Sequence, residues 1–219
     1  MRKVLAIALL LLFCGVYTVA QDYPKAQVFG GFSYLHVDTE GAVAPAGTSI
    51  KRWYPGWEIA GQFNLTKMLG VKADFSGNYG TPITVTGLST PSARTYSFLF
   101  GPVVSFRGER ATPFVHALFG GNHIGLDSFT LPAGIIPGVA GTVPAGSETS
   151  FAMAFGGGLD VKLTRHFGLR VGQFDYLYTK HCADLFGIGC LLGSNSILGP
   201  GAPAAHQNNF RFATGVVIQ

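Results

Sequence analysis

The stretch LGVKADFSGNY, residues 69–79, decides the fold because two kinds of side chain alternate along it. Apolar and polar residues take opposite parities, that is, odd or even residue numbers. The apolar residues Leu69, Val71, Ala73, Phe75 and Tyr79 are odd, and the polar residues Lys72, Asp74, Ser76 and Asn78 are even. Since successive side chains of a β-strand point to opposite faces, this pattern predicts a strand with one apolar and one polar face. The period leaves open which face points inward: a soluble sandwich buries the apolar face, whereas a membrane barrel turns it outward.

The first 20 residues, MRKVLAIALLLLFCGVYTVA, have the layout of a secretory signal peptide. Arg2 and Lys3 precede an apolar run over 4–16, and small residues lead to Ala20. The apolar run is shorter than the roughly 20 residues that a membrane-spanning helix needs. We therefore expect residues 1–20 to be removed and residues 21–219 to form one domain.

The composition is unusual for a soluble domain. Charged residues make up 12% of the chain, against about 25% in ordinary globular proteins. The full chain has 15 basic and 11 acidic residues, and loss of Arg2 and Lys3 leaves 13 − 11 = +2, so we expect no nucleic-acid partner. Apolar residues spread over alternating segments, with no later run of 18, are typical of a transmembrane β-barrel.

Strand periodicity recurs along the whole chain. Eight segments carry it: 26–37, 56–64, 69–79, 94–107, 112–124, 150–163, 167–179 and 208–219. A change of phase near Gln173 predicts a bulge in the seventh segment. The fifth segment is ambiguous, because Phe114, His116 and Leu118 share one parity while Val115 and Phe119 take the other.

The connections between these segments alternate between long and short. Long ones cover 38–55, 80–93, 125–149 and 180–207, and tight ones lie at 65–68, 108–111 and 164–166. In outer-membrane barrels, short turns lie in the periplasm and longer loops lie outside. The predicted fold is all-β: an eight-stranded antiparallel up-and-down transmembrane β-barrel with short periplasmic turns and long extracellular loops.

Charged residues collect on the parity opposite to the apolar one. A Lys or Arg facing lipid near the bilayer midplane costs about 2–4 kcal/mol, so these residues should face the lumen. We expect them to form a paired charge network there: Glu58, Lys72, Asp74, Asp160, Lys162, Arg170, Asp175 and Arg211.

Aromatic residues cluster near both ends of the predicted strands, as in the belts at the two membrane interfaces. The predicted belt at the long-loop end contains Trp53, Tyr54, Trp57, Tyr79, Tyr96, Tyr176 and Tyr178. The short-turn end carries Phe63, Phe106, Phe114 and Phe167.

Two cysteines, Cys182 and Cys190, remain after signal cleavage. An exported chain favours a disulfide between them. The alternative is a metal site with His181, but the local sequence offers too few ligands for a tetrahedral site. We expect no metal and no cofactor.

Three stretches carry a family resemblance: AQVFGGFSYLHV (26–37), FGGGLDVKLTRHFGLRVGQFDYLYT (155–179) and FRFATGVVI (210–218). With them the chain resembles the small eight-stranded outer-membrane β-barrels, the OmpA-type and OmpW-type group with its outer membrane protein β-barrel domain. The resemblance implies a monomer in the bacterial outer membrane, with outer-membrane lipid, lipopolysaccharide and the barrel-assembly machinery as partners. Such barrels usually end in an aromatic residue that this machinery reads, whereas this chain ends in Ile218-Gln219.

No sequence motif indicates catalysis, so we expect a protein that is not an enzyme. The favoured hypothesis is a structural or surface-binding, adhesion-like role carried by the extracellular loops, because loops on a rigid scaffold carry binding. The alternatives are a narrow channel for small solutes, an outer-membrane enzyme that modifies lipid A, and a soluble lipocalin-like carrier.

Overall fold

The structure, a computed structural model, describes most of the chain after the expected signal peptide. The described residues are 23–37, 48–50, 53–81, 83–85, 92–136, 139–143, 145–182 and 204–219. Residues 1–20 and Cys190 therefore lie outside them. No helix in the described ranges is long and apolar enough to cross a membrane.

Eight antiparallel strands form a closed barrel. They are β1 (Ala26–His36), β3 (Trp53–Asn64), β4 (Leu69–Gly80), β6 (Ala93–Ser105), β7 (Ala111–Leu126), β10 (Gly146–Lys162), β11 (Phe167–Cys182) and β12 (Ala204–Ile218). Each strand pairs with the next along this series, and β12 closes the barrel against β1. This up-and-down arrangement confirms the predicted barrel.

Four short strands lie in the long connections. β2 (Thr48–Ile50) and β5 (Ile83–Val85) come from the first two long connections and pair with each other. β8 (Phe129–Ile136) and β9 (Val139–Val143) form a hairpin in the third. Backbone pairing gives these polar main-chain groups partners, which the sequence pattern did not reveal.

The two faces of the wall follow the alternation of the opening stretch. On β4, Val71 is 47% exposed and Tyr79 is 40% exposed, whereas Lys72 and Asp74 are buried. The apolar parity therefore faces outward and the polar parity faces the lumen. The polar face, which would contact water in a soluble sandwich, lines the lumen here.

Two local features settle the ambiguous strands. In β11 the pairing with β12 shifts between Arg170 and Gln173, which confirms the predicted bulge. In β7, Phe114 and Leu118 are buried with His116, whereas Val115 and Phe119 are exposed. Phe114 is therefore a lumen residue, and its place in the short-turn aromatic belt was wrong.

The short turns form one end of the barrel, termed the turn end, and the long connections leave from the other, the loop end. At the turn end, Arg107 Nε donates to the Lys67 carbonyl at 3.0 Å, and its guanidinium lies 5.7 Å from the Tyr23 ring centroid. Burial lowers the pKa of the Arg107 guanidinium. These contacts tie two turns and the segment before β1 together.

Candidate functional site

A cluster of charged side chains fills the middle of the lumen, and we term it the Arg211 cluster. Its members are Glu58, Lys72, Asp74, His116, Gln173, Asp175 and Arg211, all buried. They come from β3, β4, β7, β11 and β12, so five of the eight strands contribute to it. The inward parity of each strand places them on the same side of the wall.

Arg211 is the centre of the cluster. Its Nη1 donates to Asp74 Oδ1 at 2.9 Å and to Ser76 Oγ at 2.8 Å. Its Nη2 and Nε donate to Asp175 Oδ2 at 2.6 and 2.9 Å, and Nε lies 3.4 Å from Glu58 Oε2. One guanidinium thus contacts carboxylates from three strands, which suits its planar set of five donors.

Lys72 supplies the second cation. Its Nζ lies 3.0 Å from Asp74 Oδ2 and 3.8 Å from Glu58 Oε1. It also donates to Gln173 Oε1 at 3.1 Å. These contacts join the predicted neighbours Lys72 and Asp74 to Glu58 on the adjoining strand.

Two residues that the sequence did not single out complete the cluster. Gln173 donates from Nε2 to Glu58 Oε1 at 2.9 Å and to Asp175 Oδ2 at 2.7 Å. His116 Nε2 lies 2.9 Å from Asp175 Oδ1. The ambiguous alternation of the fifth segment left the facing of His116 open, and the phase change at Gln173 hid the facing of that residue, so no sequence signal could have found either one.

The cluster holds more acidic than basic groups. Its carboxylates are Glu58, Asp74 and Asp175, and its permanent cations are Lys72 and Arg211. The formal charge is −3 + 2 = −1 with a neutral His116, and zero with a protonated one. A buried charge is tolerated only when it is paired and hydrogen-bonded, so every cation in this set matters.

A separate ion pair lies toward the turn end. Arg170 donates from Nε to Asp160 Oδ1 at 2.7 Å and from Nη2 to Asp160 Oδ2 at 3.0 Å, a bidentate geometry. Its guanidinium carbon lies 4.3 Å from the Phe29 ring centroid and 4.4 Å from that of Phe114. Arg170 Nη1 also donates to Gln173 Oε1 at 2.7 Å, which links this pair to the Arg211 cluster.

Lys162 lies half-buried at the turn end of β10, and within the described chain no ion pair connects it to the network. Lys162 shares the inward parity of Asp160 on β10, and its place in the lumen network stays a prediction. Lys162 is the last residue of β10, and at that edge a long side chain can reach water.

An apolar layer covers the Arg211 cluster on the loop-end side. It contains Leu35, Tyr54, Leu99, Leu118, Ala152, Ala154 and Leu177, all buried. On β7 and β11, Leu118 and Leu177 follow His116 and Asp175 by two residues, which places them one step nearer the loop end. Side chains thus fill the lumen in successive charged and apolar layers, as expected for a barrel of eight strands.

Tyr54 belongs to this layer and corrects the predicted belt. It shares the inward parity of Glu58, four residues later on β3, so its ring lies inside the barrel. The neighbouring Trp53 points outward by the same rule.

The other predicted belt residues lie on the outer face at the loop end. Trp57 Nε1 donates to Tyr79 Oη at 3.1 Å, and the Tyr79 and Tyr96 rings pack with centroids 5.9 Å apart. Tyr176 Oη donates to Asn208 Oδ1 at 2.6 Å, and Tyr178 is half-buried on the same strand. Rings with an apolar body and a polar tip suit the boundary between hydrocarbon and water.

Cys182 ends β11, and Cys190 falls outside the described residues, so their disulfide stays a prediction. The residues that the structure describes contain no group of three or more His, Cys, Asp or Glu side chains that could hold a metal.

Comparison with known proteins also indicates an outer-membrane β-barrel. The family model described as "Outer membrane protein beta-barrel domain" matches residues 6–195. The crystal structure of Ail, the attachment invasion locus protein of Yersinia pestis, is 14% identical, covers 88% of this chain and 96% of that chain, and has a TM-score of 0.53. Neisserial surface protein A (NspA) is 13% identical, covers 89% and 97%, and has a TM-score of 0.55.

At these identities the solved structures show a shared fold and nothing finer. The comparison with curated proteins gives no match. The family model covers most of the sequence, and the eight-stranded barrel agrees with it. The chain therefore belongs to the family of the outer membrane protein β-barrel domain.

Proposed function

We propose that this protein is a rigid barrel of the bacterial outer membrane whose long connections bind partners at the cell surface. The observation that carries the proposal is the filled lumen. Charged layers and an apolar layer occupy it, so the barrel serves as a scaffold and its loop end is the part free to bind.

The geometry of the lumen argues against the alternative of a narrow channel. Arg211 is 1% exposed and bonds to side chains of β4 and β11, on both sides of the interior. An ion passing through would have to break these charge-assisted bonds and then cross the layer that contains Leu99, Leu118 and Leu177. We expect planar-bilayer recordings to show no steady conductance, and a reproducible open channel would overturn the scaffold role.

An adhesion-like role is the form of surface binding that we favour. It is supported by the fold shared with a protein described as an attachment invasion locus protein and with a neisserial surface protein. In this chain, strands β2, β5, β8 and β9 order parts of the long connections, which suits segments that present a defined surface. Their partner is a surface of another cell or its matrix.

Cell adhesion tests this role directly. A non-adherent Gram-negative host that displays the protein should bind cultured epithelial cells or immobilised matrix proteins more than the empty host does. A variant with residues 129–143, the β8–β9 hairpin, replaced by a short Gly-Ser turn should lose that gain. Heat-modifiable migration in a detergent gel is the control that the shortened barrel still folds. Equal binding by the empty host would contradict the proposal.

Orientation is the second part of the proposal, with the loop end outside and the turn end in the periplasm. An epitope inserted between Ile136 and Val139, at the tip of the β8–β9 hairpin, should be stained by antibody on intact cells. The same epitope inserted in the turn at 65–68 should be stained only after permeabilisation. The reverse pattern would invert the orientation. Recovery in a soluble fraction would contradict the membrane location.

We further propose that lipopolysaccharide and the barrel-assembly machinery are partners, and that the protein is a monomer. The exposed apolar outer face supports contact with membrane lipid. The closed sheet supports the monomer, because a barrel without free strand edges needs no second copy to complete its pairing.

A further inference from the structure

A row of polar side chains crosses four neighbouring strands at the turn-end mouth of the lumen. It begins with Arg107, two residues after the end of β6, and Thr112, the second residue of β7. The bond from the Phe106 amide to the Pro113 carbonyl, at 2.8 Å, continues the register of these two strands by one pair. Arg107 therefore lies opposite Thr112, and both have the inward parity of Ser105.

The next two members of the row already bind each other. Thr112 pairs with Asp160 on β10, and Asp160 pairs with Arg170 on β11. Both Asp160 carboxylate oxygens accept from the Arg170 guanidinium in the bidentate pair described above. Asp160 attracts Arg107 through space, but within the part of the chain that the structure describes no ion pair joins the two. The nearby carboxylate is therefore used by another cation.

Two buried polar atoms of the row lack a hydrogen-bond partner among the described residues. They are Arg107 Nη2 and Thr112 Oγ1. Thr112 is 4% exposed, so its hydroxyl has little access to bulk water. Buried donors are rarely left unpaired in native proteins, and an unpaired one calls for a bound water or ion. Since these two donors lie on facing residues of one hairpin, a single bound group can contact both.

The mouth has surplus positive charge. Its basic residues are Arg107, Lys162 and Arg170. Asp160 is the acid among them, so the formal charge is +3 − 1 = +2. A water molecule would satisfy the free donors, but it would not balance this charge, so the bound group is an anion. The turns around the mouth carry three more exposed cations against one acid: Lys67, Arg110 and Arg165 against Glu109.

The donors favour a phosphate over a carboxylate. A guanidinium, a hydroxyl and an ammonium reach the mouth from Arg107, Thr112 and Lys162, on three adjacent strands. Lys162 is the diagonal neighbour of Thr112, because it lies two residues beyond Asp160 on the same face. A phosphate group offers at least three acceptor oxygens and a charge of about −1.5 to −2 at pH 7, whereas a carboxylate has two oxygens and one charge.

From these observations we infer that the turn-end mouth binds the phosphate group of a small water-soluble molecule, either inorganic phosphate or a phosphomonoester. The row faces the lumen, whereas lipid contacts the outward face, which carries Phe106 and Phe167 at the same end. Lipid phosphates therefore lie outside the wall. The proposed orientation makes the periplasm the source of the solute, but the site itself depends neither on that orientation nor on adhesion by the loops.

Three substitutions test the site. Thr112→Val removes the hydroxyl and keeps the shape of the side chain, and because Oγ1 has no protein partner, the barrel should stay as stable without phosphate. Arg107→Gln removes the charge and also the bond to the Lys67 carbonyl. Arg110→Gln is the matched control, since it removes an exposed cation of the same turn.

The experiment is an NMR titration of the mature barrel in phosphatidylcholine nanodiscs, with inorganic phosphate added at constant ionic strength. We expect a saturable shift of the Thr112 amide signal. Arg107→Gln and Thr112→Val should each weaken binding about tenfold, and Arg110→Gln should leave it within about twofold. Phosphate should also raise the urea midpoint of the parent and of Arg110→Gln but not that of Thr112→Val, because a ligand stabilises only a protein that binds it.

Glycerol 3-phosphate distinguishes the two sources of the phosphate group. Tighter binding than inorganic phosphate would identify a monoester as the ligand, and weaker binding would identify the free ion.

Four results would overturn the inference. They are a shift that does not saturate, equal weakening by Arg107→Gln and Arg110→Gln, equal binding of acetate, and loss of the response when phosphatidylglycerol replaces part of the phosphatidylcholine. The second would indicate diffuse attraction, the third a site for any anion, and the fourth a lipid ligand. The assay uses purified protein, so its failure is distinguishable from a failure of adhesion, which is measured on cells.

Discussion

Replacing Arg211 with Met should strongly destabilise the barrel. The substitution removes the donors to Asp74, Asp175 and Ser76 and the charge partner of Glu58. The formal charge of the Arg211 cluster then changes from −1 to −3 + 1 = −2, with Lys72 as the single remaining permanent cation of the cluster.

The magnitude follows from the burial of the partners. Glu58, Asp74 and Asp175 are all buried, at 2% exposure or less. Removing one partner of a buried ion pair costs about 3–5 kcal/mol, because the other charge is left uncompensated. We therefore expect Arg211→Met to lower the free energy of unfolding by about 3–5 kcal/mol.

Glu58→Gln is the matched control. Oε2 of Glu58 has no hydrogen-bond partner among the described residues, and the amide of Gln keeps an oxygen that can accept from Gln173. The substitution brings the formal charge of the cluster from −1 to zero, so we expect a change within about 1 kcal/mol. The double variant has a formal charge of −1 again and should be more stable than Arg211→Met alone, because neighbouring sites couple.

The assay is reversible urea unfolding of the barrel in phosphatidylcholine vesicles. The fluorescence of Trp53 and Trp57 reports the loss of their outer-face environment, and heat-modifiable gel migration gives an independent measure of the folded fraction. The reasoning is refuted if Arg211→Met lies within about 1 kcal/mol of the parent, or if Glu58→Gln is equally destabilising.

Three further predictions concern single positions. Gly156→Ala should lower the free energy of unfolding by about 1–3 kcal/mol in the same assay, because its Cβ would lie 2.1 Å from Asp175 Oδ1 and 2.3 Å from the Phe174 carbonyl oxygen. Gly30→Ala is the control, since a Cβ there meets nothing within 4 Å, and equal effects of the two substitutions would contradict the steric cause. Leu118→Ala should lower the free energy of unfolding by about 2–5 kcal/mol, because it leaves a cavity in the apolar layer. Leu163→Ala, at a 66% exposed turn position, should lower it by under about 0.5 kcal/mol. A small loss of stability in Leu118→Ala would mean that the layer is loosely packed. Cys182 and Cys190 should react with a maleimide-polymer only after reduction, seen as a gel shift, and labelling without reductant would exclude the disulfide.

Alternation in the sequence was sufficient to predict the barrel and most of its polar interior. Inward charges such as Lys72, Asp74 and Arg170 could be placed because charge and parity agree on their strands. Tyr54 could have been placed by the same rule, since it shares the parity of Glu58, but its neighbours Trp53 and Trp57 suggested an interfacial role.

The partners within the lumen could not be predicted in the same way. Parity assigns a face, whereas contacts between Asp74 on β4 and Arg211 on β12 depend on the tilt and stagger with which the barrel closes. Gln173 was missed because a neutral amide carries no charge signal and lies where the bulge changes the phase. The pairing of β2 with β5 joins segments of separate loops, which no local pattern encodes.

The position of Arg211 on the last strand links the electrostatics of the lumen to the order of assembly. β3, β4 and β11 bring Glu58, Asp74 and Asp175, and their principal counter-ion arrives only with β12. A slip of β12 by one residue would turn Arg211 toward lipid and leave three acids with one lysine. Only the correct pairing of β12 with its neighbours therefore brings the formal charge of the Arg211 cluster from −2 to −1, so the register of the last strand sets the electrostatic balance of the interior.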